Sequence, residues 1–132
     1  MADLDLAQVL QTKIKDAGFS EVFYTLPDSR KHAEFVVLSF GTPKQSEIYY
    51  DFSEEIPIRV SVLCKRISEL DAMNDAQRIK ELFEFDPPES ANGSFVTTSL
   101  EVDNPRPLVW DESGRFVWVF DMHISIERNT NG

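Results

Sequence analysis

The segment from Leu108 to Ile126 constrains the fold more than any other part of the chain, because it has the pattern of a β-hairpin. In its turn, Asp111-Glu112-Ser113-Gly114, the aspartate suits the first position of a type I turn and Gly114 suits a left-handed bulge. Every second residue from Phe116 onward is apolar, so one face of the following strand is predicted to be buried. The segment therefore indicates an antiparallel sheet.

The length of this turn decides which residues of the hairpin stand opposite each other. A three-residue loop followed by a glycine bulge places Trp110 opposite Phe116 and Leu108 opposite Trp118. A two-residue loop would instead place Trp110 opposite Arg115. We expect the first of these two registers.

Two helices are predicted outside the hairpin. Asp3 suits the N-cap of a first helix that ends just before Gly18, and Ser68 opens a capping box for a second helix that ends before Pro87. Helical spacing of apolar residues supports both helices. The apolar stripe of the second helix is predicted to contain Leu70, Met73, Ile79, Leu82 and Phe83.

The remaining pattern is that of strands, which together with the helices indicate the fold class. The predicted strands are Glu21 to Leu26, Glu34 to Phe40, Gln45 to Phe52, a central strand from Ile58 to Lys65, and Ser94 to Val102. We predict a single α+β domain over residues 1–132, with 129–132 frayed. Its architecture is a two-layer sandwich, a mainly antiparallel β-sheet with two helices packed on one face.

Composition and charge argue against several classes of protein. No apolar run approaches the roughly 20 residues that span a bilayer, so no membrane association is expected. The acidic N-terminus lacks the basic and apolar regions of a secretory signal, which favours the cytoplasm. The formal net charge of −10 argues against binding nucleic acid phosphates as a main function.

The sequence offers few groups that could carry chemistry. Cys64 is the only thiol, and a cysteine nucleophile would need His32 or His123 nearby. Cys64 falls on the apolar side of its strand, so we expect a buried hydrophobic residue instead. Asp121 and His123 share one strand face, but polar residues alternate in this way on any half-solvated strand. We predict no catalytic residue, no metal site and no cofactor.

Three segments in the second half of the chain form a combination found in one protein family. They are Arg59 to Ile67 with the helix that follows, the strand Gly93 to Val102, and the hairpin Pro107 to Arg128. Together with the order of elements, these segments resemble the small tail terminator proteins of long-tailed bacteriophages and prophages, often labelled minor capsid proteins. The first half of the chain is compatible with that family without adding to the resemblance.

The resemblance implies a structural role and no enzyme activity. Copies of such a domain form a ring, commonly a hexamer, at the head-proximal end of the tail tube. The ring stops tube polymerisation and offers a surface to the head connector. We therefore expect the chain in the host cytoplasm before assembly and then in the virion. Its expected partners are itself, the tail tube protein and a head-completion or connector protein, with DNA passing through the lumen without specific binding.

Charged residues are assigned to two surfaces of such a ring. Asp51, Glu54 and Glu55 are expected near the lumen, because an acidic lumen lets DNA pass with weak adhesion. The subunit contact is expected between a basic set on one copy and an acidic set on its neighbour. The basic set is Arg59, Lys65 and Arg66, and the acidic set is Glu81, Glu84 and Asp86. The alternative is that both sets are solvated surface.

Two other functions remain open from the sequence. The first is another neck component, a head-completion or tail-completion factor that forms rings but binds the portal side. The second is a small cytoplasmic enzyme or ligand-binding domain with its site at a dimer interface. That second function requires a deep pocket with convergent polar groups and strongly shifted pKa values.

Overall fold

The computed structural model describes residues 4–24, 34–41, 55–108 and 116–128. Two helices and six strands occur there, in the order α1 (Leu6–Asp16), β1 (Val22–Phe23), β2 (Phe35–Gly41), β3 (Glu55–Arg66), α2 (Glu69–Phe85), β4 (Phe95–Val102), β5 (Arg106–Pro107) and β6 (Phe116–Arg128). The strands form one sheet in the order β1-β2-β3-β6-β4, with β5 also paired to β6. β1 and β2 are parallel, and the other described pairs are antiparallel. The structure confirms the predicted α+β class.

Both helices pack on the same face of the sheet, as predicted for a two-layer sandwich. The shared core contains the even-numbered residues of β3 and β6, which alternate toward the helices. Fully buried members of this core are Leu10, Ile14, Val60, Val62, Cys64, Ile79, Phe83, Phe120, Met122 and Ile126. The predicted burial of Cys64 is thereby confirmed.

The long ladder between β3 and β6 is the centre of the sheet. It runs from Glu55 opposite Glu127 to Arg66 opposite Phe116. β3 therefore begins before Ile58, the predicted start, and it includes Pro57 opposite Ser125. The amide N–H of Leu108 donates to the carbonyl of Val117 at 2.8 Å, on the side of β6 that faces away from β3. Because backbone groups alternate in direction along a strand, the other odd-numbered residues of β6 also direct their N–H and C=O groups away from β3. Pro57, opposite an odd-numbered residue, is therefore not required to donate to β6.

The two strands of the predicted hairpin pair in antiparallel fashion, but the predicted register is wrong by one residue. Pro107 stands opposite Trp118, where Leu108 was expected. In the expected register Pro107 would stand opposite Val119, whose backbone groups face β5 and need an N–H that proline lacks. The predicted turn, Trp110, and the predicted strand from Gln45 to Phe52 lie outside the described residues.

The ends of α1 agree with the sequence at one terminus only. Gly18 follows the helix with a φ of 110° and donates its amide N–H to the carbonyl of Lys15. The N-cap is Asp5 and not the predicted Asp3, because the helix begins at Leu6. The Asp5 side chain caps no group of its own helix and is instead bound to the loop between α2 and β4.

The ends of α2 were predicted correctly, and of its predicted stripe Ile79 and Phe83 are fully buried, whereas Leu70 is not. The Ser68 hydroxyl accepts a hydrogen bond from the Asp71 amide at 3.4 Å, and the helix ends at Phe85. Leu70, expected in the core, is 61% exposed. Leu70 precedes the buried Ile79 by nine residues, which is about two and a half turns, so the two project from opposite sides.

Candidate functional site: the two ends of α2

A cluster of charged side chains surrounds Arg66 where β3 leads into α2. The Arg66 guanidinium lies 3.1 Å from Glu34, 3.5 Å from Asp71 and 3.4 Å from Asp75. Burial raises the pKa of Asp75, with Arg66 and Arg78 opposing this and the neighbouring carboxylates adding to it. The charge of Arg66 is therefore balanced within its own chain.

Two apolar side chains beside this cluster are turned to solvent. Ile67 and Leu70 are 60% and 61% exposed, and they follow directly on the end of β3 and the start of α2. The amide N–H of Ile67 donates to Glu34 at 3.2 Å, which fixes the backbone there. We call Ile67 and Leu70 the N-terminal patch. Exposed apolar side chains that form a contiguous patch are a feature of interaction surfaces.

The three acidic residues predicted for the subunit contact lie together at the C-terminal end of α2. They are Glu81, Glu84 and Asp86. Lys80 pairs with Glu84 at 2.7 Å, and Lys13 of α1 pairs with Asp86. The last turn of α2 contains no basic residue. Because the C-terminus of a helix is its negative pole, carboxylates there are unfavourable unless a cation from elsewhere approaches them.

An apolar groove of about 410 Å³ lies at this same end of α2, beside the end of α1. Phe19, Leu82 and Phe85 supply its apolar wall, and Phe85 is 87% exposed. The Arg78 guanidinium lies 5.0 Å from the centre of the Phe19 ring, and Glu81 stands at the rim. We call this feature the C-terminal groove. It combines an apolar wall with a mostly acidic border.

The three basic residues predicted for the contact do not form one patch. Lys65 lies on the sheet face away from the helices, with its ammonium 5.4 Å from the centre of the Phe35 ring. Arg59 is exposed on that same face, whereas the Arg66 side chain is turned toward α2. Arg59 and Arg66 are seven positions apart on the strand, which is about 23 Å. The predicted contact between copies stays a prediction.

The residues predicted for the lumen are described only in part. Asp51 and Glu54 lie outside the described residues, and Glu55 is the first residue of β3. In the ladder Glu55 stands opposite Glu127.

Cys64, the thiol considered for catalysis, lies in surroundings that disfavour the thiolate, and His32 lies outside the described residues. Burial raises the pKa of the Cys64 thiol, and Asp75 raises it further against the opposing effect of Arg66. His123 is exposed, with its Nε2 atom 3.3 Å from Asp103. No group of three metal-ligating side chains occurs among the described residues. None of the helices described is long and apolar enough to cross a membrane.

Three residues were not identified from the sequence. Ile67 and Phe85 are exposed apolar residues, and Asp5 links α1 to the loop between α2 and β4. A helical projection would have found Phe85, which follows the buried Ile79 by six residues and so falls about 120° away from it. Asp5 gave no comparable signal, because its partners are far away in the sequence.

The family described as "Bacteriophage tail terminator protein" matches residues 4–128 of this chain. A solved structure entitled "Structure of bacteriophage SPP1 gp17 protein" is similar, with a TM-score of 0.50 and 16% sequence identity. The similarity covers 97% of this chain and 91% of that one, and at this identity it shows the fold alone. No curated protein matches the chain. Since the family match covers nearly the whole sequence, the chain belongs to the bacteriophage tail terminator family, whose members are structural proteins of the virion.

Proposed function

We propose that copies of this chain form a ring at the head-proximal end of the phage tail tube. The ring, a hexamer by analogy with the family, stops tube polymerisation and offers a docking surface to the head connector. Membership of the tail terminator family carries this proposal. The two ends of α2 support it, because a ring of identical subunits needs two different surfaces that meet side to side.

Capping of tail tubes tests this proposal directly. Tail tube protein from the same phage is polymerised with and without the purified full chain, and tube lengths are measured by negative-stain electron microscopy. The proposal predicts shorter tubes with extra density at one end. Tubes of unchanged length, together with binding of the chain to isolated head connectors, would favour the head-side neck component instead.

We also propose that charge contributes to the contact between neighbouring copies. In this proposal the acidic residues at the end of α2 face the basic residues of the next subunit, as the sequence predicts. Arg59→Glu is the informative variant, because Arg59 is exposed, whereas Arg66→Glu would disturb three ion pairs within the chain. The variant should lower the mass measured by light scattering. An unchanged mass would discard Arg59 from the contact.

For the lumen, we propose that Asp51, Glu54 and Glu55 border the path of the DNA. An acidic border supports passage of DNA, because like charges let it pass with weak adhesion. Rings of the triple variant Asp51→Asn, Glu54→Gln, Glu55→Gln should retain short duplex DNA more strongly than wild-type rings in a low-salt mobility shift. Equal retention by both rings would contradict an acidic lumen.

A non-enzymatic role fits the electrostatics of the described residues. The two carboxyl groups with shifted pKa values, Asp5 and Asp75, are both held in networks that link elements of the fold. Asp5 lines a cleft of about 320 Å³ and Asp75 lines one of about 210 Å³, and in both clefts the carboxylate is already held by donors of its own chain. An enzyme site would instead require a shifted titratable group that is free to meet a substrate.

A further inference from the structure

We infer that the outer edge of β4 binds a short, extended, basic segment of another protein, which adds a strand to the sheet. The occupant is a segment in which lysine or arginine alternates with apolar residues. The inference concerns a partner surface and does not depend on the proposed ring.

Unpaired backbone groups at the edge of the sheet are the first argument. β4 is the last strand of the described sheet, so β6 lies on one side of it and no described strand lies on the other. Ser99 and Glu101 stand opposite odd-numbered residues of β6 and therefore exchange backbone hydrogen bonds with that strand. Leu100 and Val102 stand opposite even-numbered residues, so their N–H and C=O groups point outward. Such an edge is a template for adding a strand.

The sequence of β4 does little to block this pairing. Edge strands are often protected by lysine, by proline or by being very short. β4 has eight residues, with no lysine and no proline. Its register shifts between Thr97 and Ser99, so the regular part that a partner can use begins at Ser99 and includes Leu100 and Val102.

A groove of about 810 Å³ lies between this edge and the end of α2 with the loop that follows it. Leu100, Val102 and Pro87 supply apolar surface to it, and Glu84 and Glu89 also line it. We call it the edge groove. Because side chains alternate along a strand, an added strand would direct every second side chain into the edge groove. Apolar side chains of the partner fit there.

The charge of the edge groove favours a basic partner. Its described lining residues include Glu84 and Glu89 and no lysine, arginine or histidine. Lys80 pairs with Glu84 at 2.7 Å, whereas Glu89 is exposed and forms no ion pair with any described residue. The net charge of −10 adds long-range attraction for a basic segment.

Glu101 supplies negative charge on the other face of the same edge. It is exposed and forms no ion pair within the described part of the chain. His123 stands opposite Glu101 in the ladder, but its Nε2 atom lies 3.3 Å from Asp103. Basic side chains that an added strand directs to this face would therefore lie beside an uncompensated carboxylate.

A second copy of the chain fits this edge less well than a different protein does. The opposite edge of the described sheet is β1 (Val22–Phe23), which has two residues. Pairing of β4 with β1 of another copy would give a very short ladder, and both copies have the same negative net charge. We therefore assign the edge to a different, basic partner.

Amide hydrogen exchange in the full chain tests the inference, with NMR resolving each amide. The probe is a short, acetylated and amidated peptide that alternates valine with lysine. The amides of Leu100 and Val102 should exchange quickly in dilute protein and roughly tenfold more slowly or better with saturating peptide. The amides of Ser99 and Glu101 are internal controls, because β6 should protect them in both states.

Matched peptides separate strand addition from attraction between charges. Two peptides carry N-methyl groups on alternate residues, one on the valines and one on the lysines. Only the peptide whose methylated amides face β4 should lose binding, because it lacks the N–H groups that pair with the edge. A peptide with glutamate in place of lysine should not bind. Equal binding by all four peptides would overturn the inference.

Charge variants of the protein provide a second readout. The double variant Glu89→Lys, Glu101→Lys should weaken binding of the valine–lysine peptide roughly tenfold in fluorescence anisotropy. Glu69→Lys is the matched control, since Glu69 is exposed in the first turn of α2 and does not line the edge groove. Equal weakening by the control would overturn the assignment of the edge.

Exchange in the absence of peptide provides further tests. Protection of Leu100 and Val102 in dilute protein would show that the chain covers its own edge. Protection that appears only at high protein concentration would show that copies of the chain pair there. Either result would overturn the inference. Neither bears on the capping of tail tubes, so the proposed function would stand or fall separately.

Discussion

The carboxylate of Asp5 accepts a hydrogen bond of 2.8 Å from the hydroxyl of Ser90, joining the start of α1 to the loop between α2 and β4. The same carboxylate accepts from the amides of Ala91 at 2.8 Å and Asn92 at 3.1 Å, and from the hydroxyl of Ser94 at 3.1 Å. The N-cap residue of α1 therefore holds two distant parts of the chain together.

Removal of this carboxylate should destabilise the domain. Asp5→Ala is expected to lower the free energy of unfolding by about 1–2 kcal/mol, because four donors lose their shared acceptor and water replaces it only in part. Urea unfolding followed by tryptophan fluorescence measures the change. The control is Glu89→Ala on the same loop, an exposed residue whose loss should cost less than about 0.5 kcal/mol. Equal losses from both variants would show that the hydrogen bonds of Asp5 are not the cause.

Asp5 and Asp75 should affect stability with opposite dependence on pH. Burial raises the pKa of Asp5, but its hydrogen bonds outweigh this and leave the pKa below 3.8. Its contribution to stability is therefore present above 3.8 and is lost as the pH falls through the lowered value. Burial leaves the pKa of Asp75 above 3.8, so its contribution is lost as the pH rises through that raised value.

The two isosteric amide variants separate these effects. As the pH falls from neutral, the stability of wild type relative to Asp75→Asn should increase before the pH reaches 3.8. The stability of wild type relative to Asp5→Asn should decrease, and should do so below 3.8. Denaturant unfolding at a series of pH values gives both differences. Parallel curves for the two variants would contradict the assigned shifts.

The strand pattern was predictable because alternation is local. The side chains from Phe116 to Ile126 point alternately to the two faces of the sheet, so the sequence pattern shows which of them face the core. The hairpin register was predicted incorrectly because proline lacks an N–H, and which positions require one depends on the neighbouring strand. Leu70 was assigned to the core because an apolar residue in a helix is usually buried. Its position around the helix axis, compared with the buried residues of α2, shows that it faces away from the core.

The candidate surfaces were less predictable than the sheet. The acidic residues at the end of α2 were identified from charge, and their part in a contact stays a prediction. The C-terminal groove could not be identified, because Phe19 follows α1 while Leu82 and Phe85 belong to α2, and only the packing of the two helices brings them together. The ion pair between Arg66 and Glu34 likewise could not be predicted, because it joins segments that are far apart in the sequence.

The thiol of Cys64 should report global unfolding. It is fully buried, and burial raises its pKa, so both access and ionisation are unfavourable in the folded state. An aromatic disulfide reagent at neutral pH should react at a rate that increases with urea in parallel with the unfolding transition. Fast reaction in the absence of urea would mean that the strand pair between β2 and β3 opens locally.

Phe83 and Phe85 offer the sharpest separation of folding from assembly, because they are two residues apart on α2 and opposite in burial. Phe83 is fully buried and Phe85 is 87% exposed. Phe83→Ala should lower the free energy of unfolding by about 3–5 kcal/mol, through lost burial and the cavity left behind. Phe85→Ala should change it by less than about 0.5 kcal/mol, yet should lower the mass of the assembly in light scattering. If Phe85→Ala destabilised the monomer as strongly as Phe83→Ala, the exposed position of Phe85 would be wrong. If it left both stability and assembly unchanged, the C-terminal groove would have no part in joining the copies.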